Sequence, residues 1–203
     1  AIGLSILLAL PVGVLSATRR GTFIDTAARM FAVGGQATPI FWFGLVLMLV
    51  FAVWLGVLPS GGSSGPKSLI LPAVAMGWYN VAGIMRITRS SMLDVLDTEY
   101  IKLLRAKGLP EWQVIWKHAL KNAAIPILTF SVILFVMMLA GAVITETVFS
   151  WPGVGRLVIQ SVNYRDYPVV QTVVILLSTM YILANLAVDI LYAYLNPKIR
   201  YQR

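Results

Sequence analysis

The chain has no cysteine, a single histidine (His118) and only eight Asp and Glu among its 203 residues. Without cysteine there is no disulfide, no thiolate nucleophile and no Cys-bound metal. One histidine excludes an all-His metal site within one copy. Charge is scarce too: 12% of residues carry one, against about 25% in a soluble domain. The remainder is apolar, with 59% hydrophobic residues and a mean hydropathy of +0.83. A net charge of +8 raises the question of nucleic acid, but the basic residues lie between apolar runs. There they read as topology signals of a membrane protein. The expected surroundings are therefore a lipid bilayer, and no nucleic-acid partner is expected.

A helix needs about 20 mostly apolar residues to cross about 30 Å of hydrocarbon. Five segments meet or approach this: 1–17, 37–58, 69–88, 125–147 and 169–195. Backbone groups in lipid must be paired internally, and the ten-residue alternation of a barrel strand is missing. The expected fold is an all-α, polytopic membrane helical bundle. The first residues, AIGLSILLALPVGVLSATRR, carry neither Met nor a basic start like that of a signal peptide. Residues 1–17 are read as the remainder of a transmembrane helix in an N-terminally truncated chain.

Lys and Arg set the orientation. Residues 18–36, 86–124 and the tail carry thirteen of them, including Arg19, Arg86, Lys107 and Arg200. The opposite side has only Lys67, Arg156 and Arg165. The first group is expected to face the cytoplasm, with the C-terminus. Of the outer connections, PSGGSSGPKS (59–68) is a short flexible link, and residues 145–168 form a longer loop with aromatic, Gly and Pro punctuation. That longer loop is expected to fold back as a re-entrant or surface-lying piece.

One segment interrupts the apolar pattern. EYIKLLRAKGLPEWQVIWKHALKNAAIP, Glu99 to Pro126, holds five of the sixteen Lys and Arg. Asp97 or Thr98 suits a helix N-cap before Glu99. Tyr100, Leu103 and Leu104 form an apolar stripe at helical spacing. Gly108 suits a left-handed helix end, and Pro110 the first position of a second helix. Trp112, Ile115, Trp116 and Ala119 form a second stripe, and Pro126 is expected to open the next transmembrane helix. Residues 89–124 thus read as a cytoplasmic loop containing a helix–turn–helix. Periodicity leaves two coverings open for its stripes: lipid headgroups, or a groove in a cytoplasmic partner.

RAKGLPEWQVIWKHALKNAAIP resembles the cytoplasmic loop of binding-protein-dependent ABC importer permeases of the dipeptide/oligopeptide/nickel branch. LPVGVLSATRRGTFID (10–25), TPIFWFGLVLMLVFAVWLGVLPSGG (38–62), TETVFSWPGVGRLVIQSVNYRDYPVVQ (145–171) and NLAVDILYAYLNPKIRY (185–201) are similar to the same branch. The wider superfamily has Glu-Ala-Ala where this chain has Lys102, Leu103 and Leu104. It also has Ile-x-Leu-Pro where His118, Ala119, Leu120 and Lys121 stand. Both departures are usual in the peptide/nickel branch, and the glutamate's role is not carried over.

The resemblance implies a type I ABC transmembrane domain, a single permease domain with five spans of six present. It implies a bacterial or archaeal inner-membrane protein that is not an enzyme and binds no cofactor itself. ATP and Mg would be handled by two ATP-binding subunits, beside a second homologous permease and an extracytoplasmic solute-binding protein. Leu104, Arg105, Ala106, Lys107, Gly108, Leu109 and Trp112 are the expected contacts with the ATPase subunit. The substrate would be a dipeptide, a longer peptide, glutathione or a nickel chelate.

Polar residues inside the spans are costly in lipid and invite a role. Asn80 and Asn185 are candidate pathway residues, or helix–helix hydrogen-bonding groups. Asp189 reads as an ion-pair partner near the inner surface. Arg86 and Arg89 read as inner-end anchors with extended side chains, and His118 as a structural loop residue. Trp151, in the Phe149–Arg156 stretch, is a candidate gate or binding-protein contact, or a member of the interfacial aromatic belt. The alternative function is an ion-coupled secondary transporter or channel working without ATP; the few ionisable groups at mid-membrane count against it. A passive membrane scaffold for a cytoplasmic partner is the third reading.

Overall fold

Segments this apolar leave the backbone no water to bond with, and the chain responds by coiling. The computed structural model describes residues 1–195, and their regular structure is helical. Lys198, Arg200 and Arg203 lie outside the described residues, and the Asp189 side chain lies outside the described side chains.

Helix α1 (Ile2–Thr18) is apolar along its length and accommodates Pro11. The chain turns at Gly21, whose φ of +78° suits a residue without a Cβ. Helix α2 (Phe23–Ala37) lies where the sequence suggested only a connection. Its buried stripe is Asp25, Ala28, Ala32 and Gly35, at helical spacing but made of small and acidic residues. The large apolar residues, Phe23, Met30 and Val33, point outward. A search for large apolar residues on an inner face passes over such a helix.

Helix α3 (Ile40–Met48) starts after Pro39, which occupies the N-cap, and loosens into a π-helical stretch, Leu49–Trp54. Gly56, at φ +63°, follows. The helical run is therefore shorter at both ends than the 37–58 segment. A 3₁₀ turn (Pro66–Leu69) leads into α4 (Ile70–Leu96), which continues well beyond residue 88. Helix α5 (Glu99–Ala106) is followed by the short α6 (Glu111–Gln113), a π-helical stretch (Val114–Ala119) and α7 (Leu120–Val148). Helix α8 (Val154–Asn163) lies inside the 145–168 loop, and α9 (Tyr167–Leu195) follows.

Pro126 does not open a helix; it lies inside α7. A proline removes one backbone rung, here the N–H that would reach the carbonyl four residues back. Apolar helices tolerate that loss when local adjustment satisfies the freed carbonyl. Among the described residues, three helical runs are long and apolar enough to cross a membrane singly: Pro66–Leu96, Glu111–Met138 and Tyr167–Ala187. Helix α1 is apolar but shorter.

The chain packs as two units. In the first, which holds Thr38–Tyr79 and Ile133–Asp189, Phe149 is buried in a cluster with Leu47, Leu71 and Ala75. The Phe149 carbonyl accepts a 2.9 Å hydrogen bond from the Gly62 N–H, and a Cβ on Gly61 would collide with the same carbonyl oxygen. The 59–68 link is thereby pinned to the turn after α7. Phe43 and Trp78 stack with ring centroids 4.7 Å apart.

In the second unit, which includes Ile2–Ala37 and Asn80–Val132, α1 and α4 approach closely. Ser5, Ala9, Gly13 and Ala17 are buried at four-residue intervals on α1, the small-residue spacing that lets membrane helices touch backbones. A Cβ on Gly13 would lie 2.6 Å from Thr88 Cβ and 2.9 Å from the Met85 carbonyl oxygen. Backbone cannot move aside as a flexible side chain can. Gly13→Val is therefore expected to destabilise the protein by about 1–3 kcal/mol, read as a lower midpoint of thermal unfolding in detergent. Gly3→Val, at a position with nothing within 4 Å of a Cβ, should have little effect.

Candidate functional site

The helix–turn–helix around Gly108 is built by local backbone chemistry. Thr98 occupies the N-cap of α5, with extended backbone angles, but its hydroxyl does not cap that helix. It donates instead to the Val95 carbonyl at 2.7 Å, closing the end of α4. At the other end Lys107 is the C-cap and Gly108 follows with φ +77°. The Gly108 N–H bonds the Arg105 carbonyl at 2.9 Å, and the Leu109 N–H bonds the Leu104 carbonyl at 3.3 Å. This pair of bonds is a Schellman end, which satisfies carbonyls the helix would otherwise leave open. A Cβ at Gly108 would meet nothing within 4 Å, so glycine is needed there for its backbone angle and not for space. Pro110 then sits one position earlier than its sequence suggests: it is the N-cap, and Glu111 is the first residue of α6.

Two side-chain links brace the limbs. Arg105 forks onto Glu111, with Nη2–Oε1 at 2.6 Å and Nε–Oε2 at 3.2 Å. Tyr100 Oη and His118 Nδ1 share a 3.0 Å hydrogen bond, their rings edge to face. His118 thus ties α5 to the helical run that begins at Glu111. The Arg105 hydrogen bond holds the Glu111 carboxyl below its ordinary value and, reciprocally, raises Arg105. A depressed carboxyl stabilises the fold above its unfolded value and loses that contribution as the pH falls through the folded one. Both side chains are about half exposed, so the pair is worth at most about 1 kcal/mol. Glu111→Gln should therefore shift the unfolding midpoint slightly at pH 7. The difference from wild type should shrink as the pH falls below the usual glutamate value of 4.5 and vanish only beneath the lowered folded value.

The inward face of the hairpin is not either of the stripes read from periodicity. Ile101, Val114 and Ala119 are the buried residues, and only Ala119 belonged to a stripe. Trp112 is 63% exposed and Leu103 54%, with Tyr100 and Trp116 also exposed. Small and β-branched residues fit against the neighbouring helix, and the aromatics are displaced outward. The tip residues Arg105, Ala106, Lys107 and Gly108 are exposed, while Leu104 and Leu109 are half-buried. The seven residues expected to meet an ATPase subunit thus lie in one turn and its flanks, five of them exposed.

Arg89 is not a free anchor. Its Nε and Nη2 donate to Asp25 Oδ1 and Oδ2 at 2.6 and 3.0 Å. Asp25 is 1% exposed and also accepts from Ser16 Oγ at 2.8 Å and the Gly21 N–H at 3.0 Å. Four donors fill the lone pairs of one carboxylate, which makes burial of the charge tolerable. Sequence spacing could not show this pair, since 64 residues separate its partners.

The other candidates are dispersed. Asn80 is buried on α4 in the second unit, and Asn185 is exposed on α9. Trp151 is half-buried in the turn after α7, where its N–H bonds the Glu146 carbonyl at 2.8 Å. The Glu146 carboxylate accepts the Arg156 N–H at 2.9 Å and crowds Gly153, so it organises the start of α8. Among the described residues no group of three or more His, Cys, Asp and Glu is placed to hold a metal.

The fold is that of an ABC importer membrane subunit. A methionine ABC transporter captured in inward-facing conformations superposes with a TM-score of 0.74 at 20% identity, covering 96% of this chain and 89% of that one. Residues 9–201 match the family of binding-protein-dependent transport system inner membrane components, and the chain belongs to that family. A dipeptide transport system permease protein of Alkalihalophilus pseudofirmus is 40% identical over 97% of this chain and 68% of its own length. A glutathione transport system permease protein of Salmonella choleraesuis is 42% identical over 98% of this chain and 65% of its own. The chain spans about two thirds of the length of these relatives.

Proposed function

We propose that this chain is the membrane-spanning permease subunit of an ATP-driven importer for peptides or a related small solute such as a nickel chelate. It is not itself an enzyme. Two ATP-binding subunits with ATP and Mg, a second homologous permease and an extracytoplasmic solute-binding protein complete the transporter. The setting is a bacterial or archaeal inner membrane, with the Gly108 turn and the C-terminus on the cytoplasmic side. Support for the substrate class comes from the relatives named for dipeptide and glutathione transport.

One observation carries the coupling role. The turn exposes Trp112 and Leu103 while the bond pattern at Gly108, the Arg105–Glu111 fork and the Tyr100–His118 link hold its shape. Exposed aromatic side chains such as Trp112, held on a braced turn, are the anchors a protein groove buries. Helical residues follow without a break from Glu111 into α7. When the ATP-binding subunits close, a hairpin seated in their groove moves with them, and α7 moves with the hairpin. The nucleotide state thereby biases a two-position element. Asn80, Trp151 and Asn185 remain candidate pathway or gate positions.

No cysteine among these 203 residues competes with one introduced at the turn. Trp112→Cys, introduced into the full-length permease and crosslinked in the assembled complex, should join it to an ATP-binding subunit. A crosslink only to lipid-soluble reagents, with none to that subunit, contradicts the assignment.

A further inference from the structure

Beside the Asp25–Arg89 pair lies a cavity of about 220 Å³, lined by Ser16, Ala28, Arg29, Ala32, Val33, Met85, Arg86, Arg89 and Ser90. Three of these residues are arginines and none is acidic. The Asp25 carboxylate beside the cavity already has its lone pairs filled by Arg89, Ser16 and Gly21. Arg29 Nε stands 3.6 Å from Asp25 Oδ1 and its Nη2 makes only a long, 3.4 Å hydrogen bond to Thr26 Oγ1, while Arg86 has no polar partner among the described residues. Three guanidinium groups thus face a single negative charge, leaving an excess of two positive charges at one pocket. The rest of the wall is Ala28, Ala32, Val33 and Met85, which is apolar. The pocket offers cationic donors at one part and a hydrocarbon wall at another.

We propose that this cavity binds a phosphate-bearing anion, the headgroup of an anionic phospholipid being the source the apolar wall favours. Arg29 and Arg86 supply the donors to the phosphate oxygens, and Arg89, fixed by Asp25, adds a positioned third charge. Ala28, Ala32, Val33 and Met85 lie along the first part of an acyl chain. Basic pockets between membrane helices on the cytoplasmic side hold anionic headgroups by this chemistry. The lipid assignment rests on the cytoplasmic placement of residues 18–36 and 86–124 proposed above. Its readout is lipid retention and not uptake, so its failure leaves the transport reading untouched.

The test uses the full-length permease in its complex, in detergent, with phosphatidylglycerol, phosphatidylcholine or inorganic phosphate as probe. Native mass spectrometry should show retention of phosphatidylglycerol over phosphatidylcholine. Retention should fall roughly tenfold or more in the Arg29→Gln/Arg86→Gln double variant. The Asp25–Arg89 pair stays intact in that variant, which should fold. Arg165→Gln, on the turn before α9, should retain lipid as wild type does. Thermal stabilisation by inorganic phosphate that the double variant loses would assign the site to a free anion. Equal retention of the two lipids, an unchanged double variant without phosphate stabilisation, or an equal loss in Arg165→Gln overturns the proposal.

Discussion

Arg89→Ala is expected to lower the stability of the folded protein by about 3–5 kcal/mol, the cost of stranding a buried carboxylate. The Asp25 side chain is almost wholly enclosed, and Arg89 supplies two of its four donors. Ser16 and Gly21 would remain, but both are neutral and cannot offset the charge. Arg29, at 3.6 Å, is the only other cation ion-paired to Asp25 among the described residues, and it is half exposed to solvent. The second half of the experiment isolates the charge. Asp25→Asn combined with Arg89→Leu removes both members, and an asparagine oxygen can still accept from Ser16 and Gly21. That double variant should recover most of the lost stability, because replacing both members of a buried pair is often near neutral. Thermal unfolding of wild type, Asp25→Asn, Arg89→Leu and the double variant in one detergent completes the cycle. If Arg89→Ala alone unfolds like wild type, the pair is not what fixes α2 against α4 (Phe23–Ala37 and Ile70–Leu96).

Gly108→Asp should leave the complex assembled and still hydrolysing ATP, while uptake falls on the order of 5–150-fold, the range of typical coupling energies. The fold should survive this change. A left-handed conformation costs an ordinary residue roughly 1–2 kcal/mol, and Asp is among the few residue types that visit it. Space is not the obstacle, because a Cβ at this position meets nothing. What changes is the tip itself: a carboxylate is placed beside exposed Arg105 and Lys107, on a surface proposed to enter a protein groove. Desolvating that charge opposes docking. Gly108→Ala, which brings the strain without the charge, should impair uptake less. Undiminished uptake by Gly108→Asp would remove this turn from the coupling path.

How far the sequence could be read depended on whether a signal was local. The left-handed turn at Gly108 was legible because backbone conformation at a helix end is written in neighbouring residues. The all-helical architecture was legible because long apolar runs admit little else. The hairpin's inner face was not. Periodicity selected two stripes to be covered from outside, and Tyr100, Leu103, Trp112 and Trp116 do face outward, but it gave no sign that Ile101 and Val114 join Ala119 on the buried side. A hydrophobic stripe marks a face that avoids water, and near a membrane or a partner subunit that face need not be the one turned to the protein's own core. Helix α2 escaped because its packing residues are Ala, Gly and Asp. The Asp25–Arg89 pair escaped because only the tertiary fold brings the two together. Pro126 misled because proline's boundary preference, learned in water, weakens inside a long apolar helix.

In the proposed transporter, ATP hydrolysis by partner subunits drives solute through this chain. The most direct measurement is uptake of a labelled dipeptide into vesicles reconstituted with the full-length permease pair, both ATP-binding subunits and the binding protein. Uptake should require ATP and Mg, and hydrolysis should accelerate when loaded binding protein is added. Uptake driven by an ion gradient, undiminished when the ATP-binding subunits are left out, would contradict it.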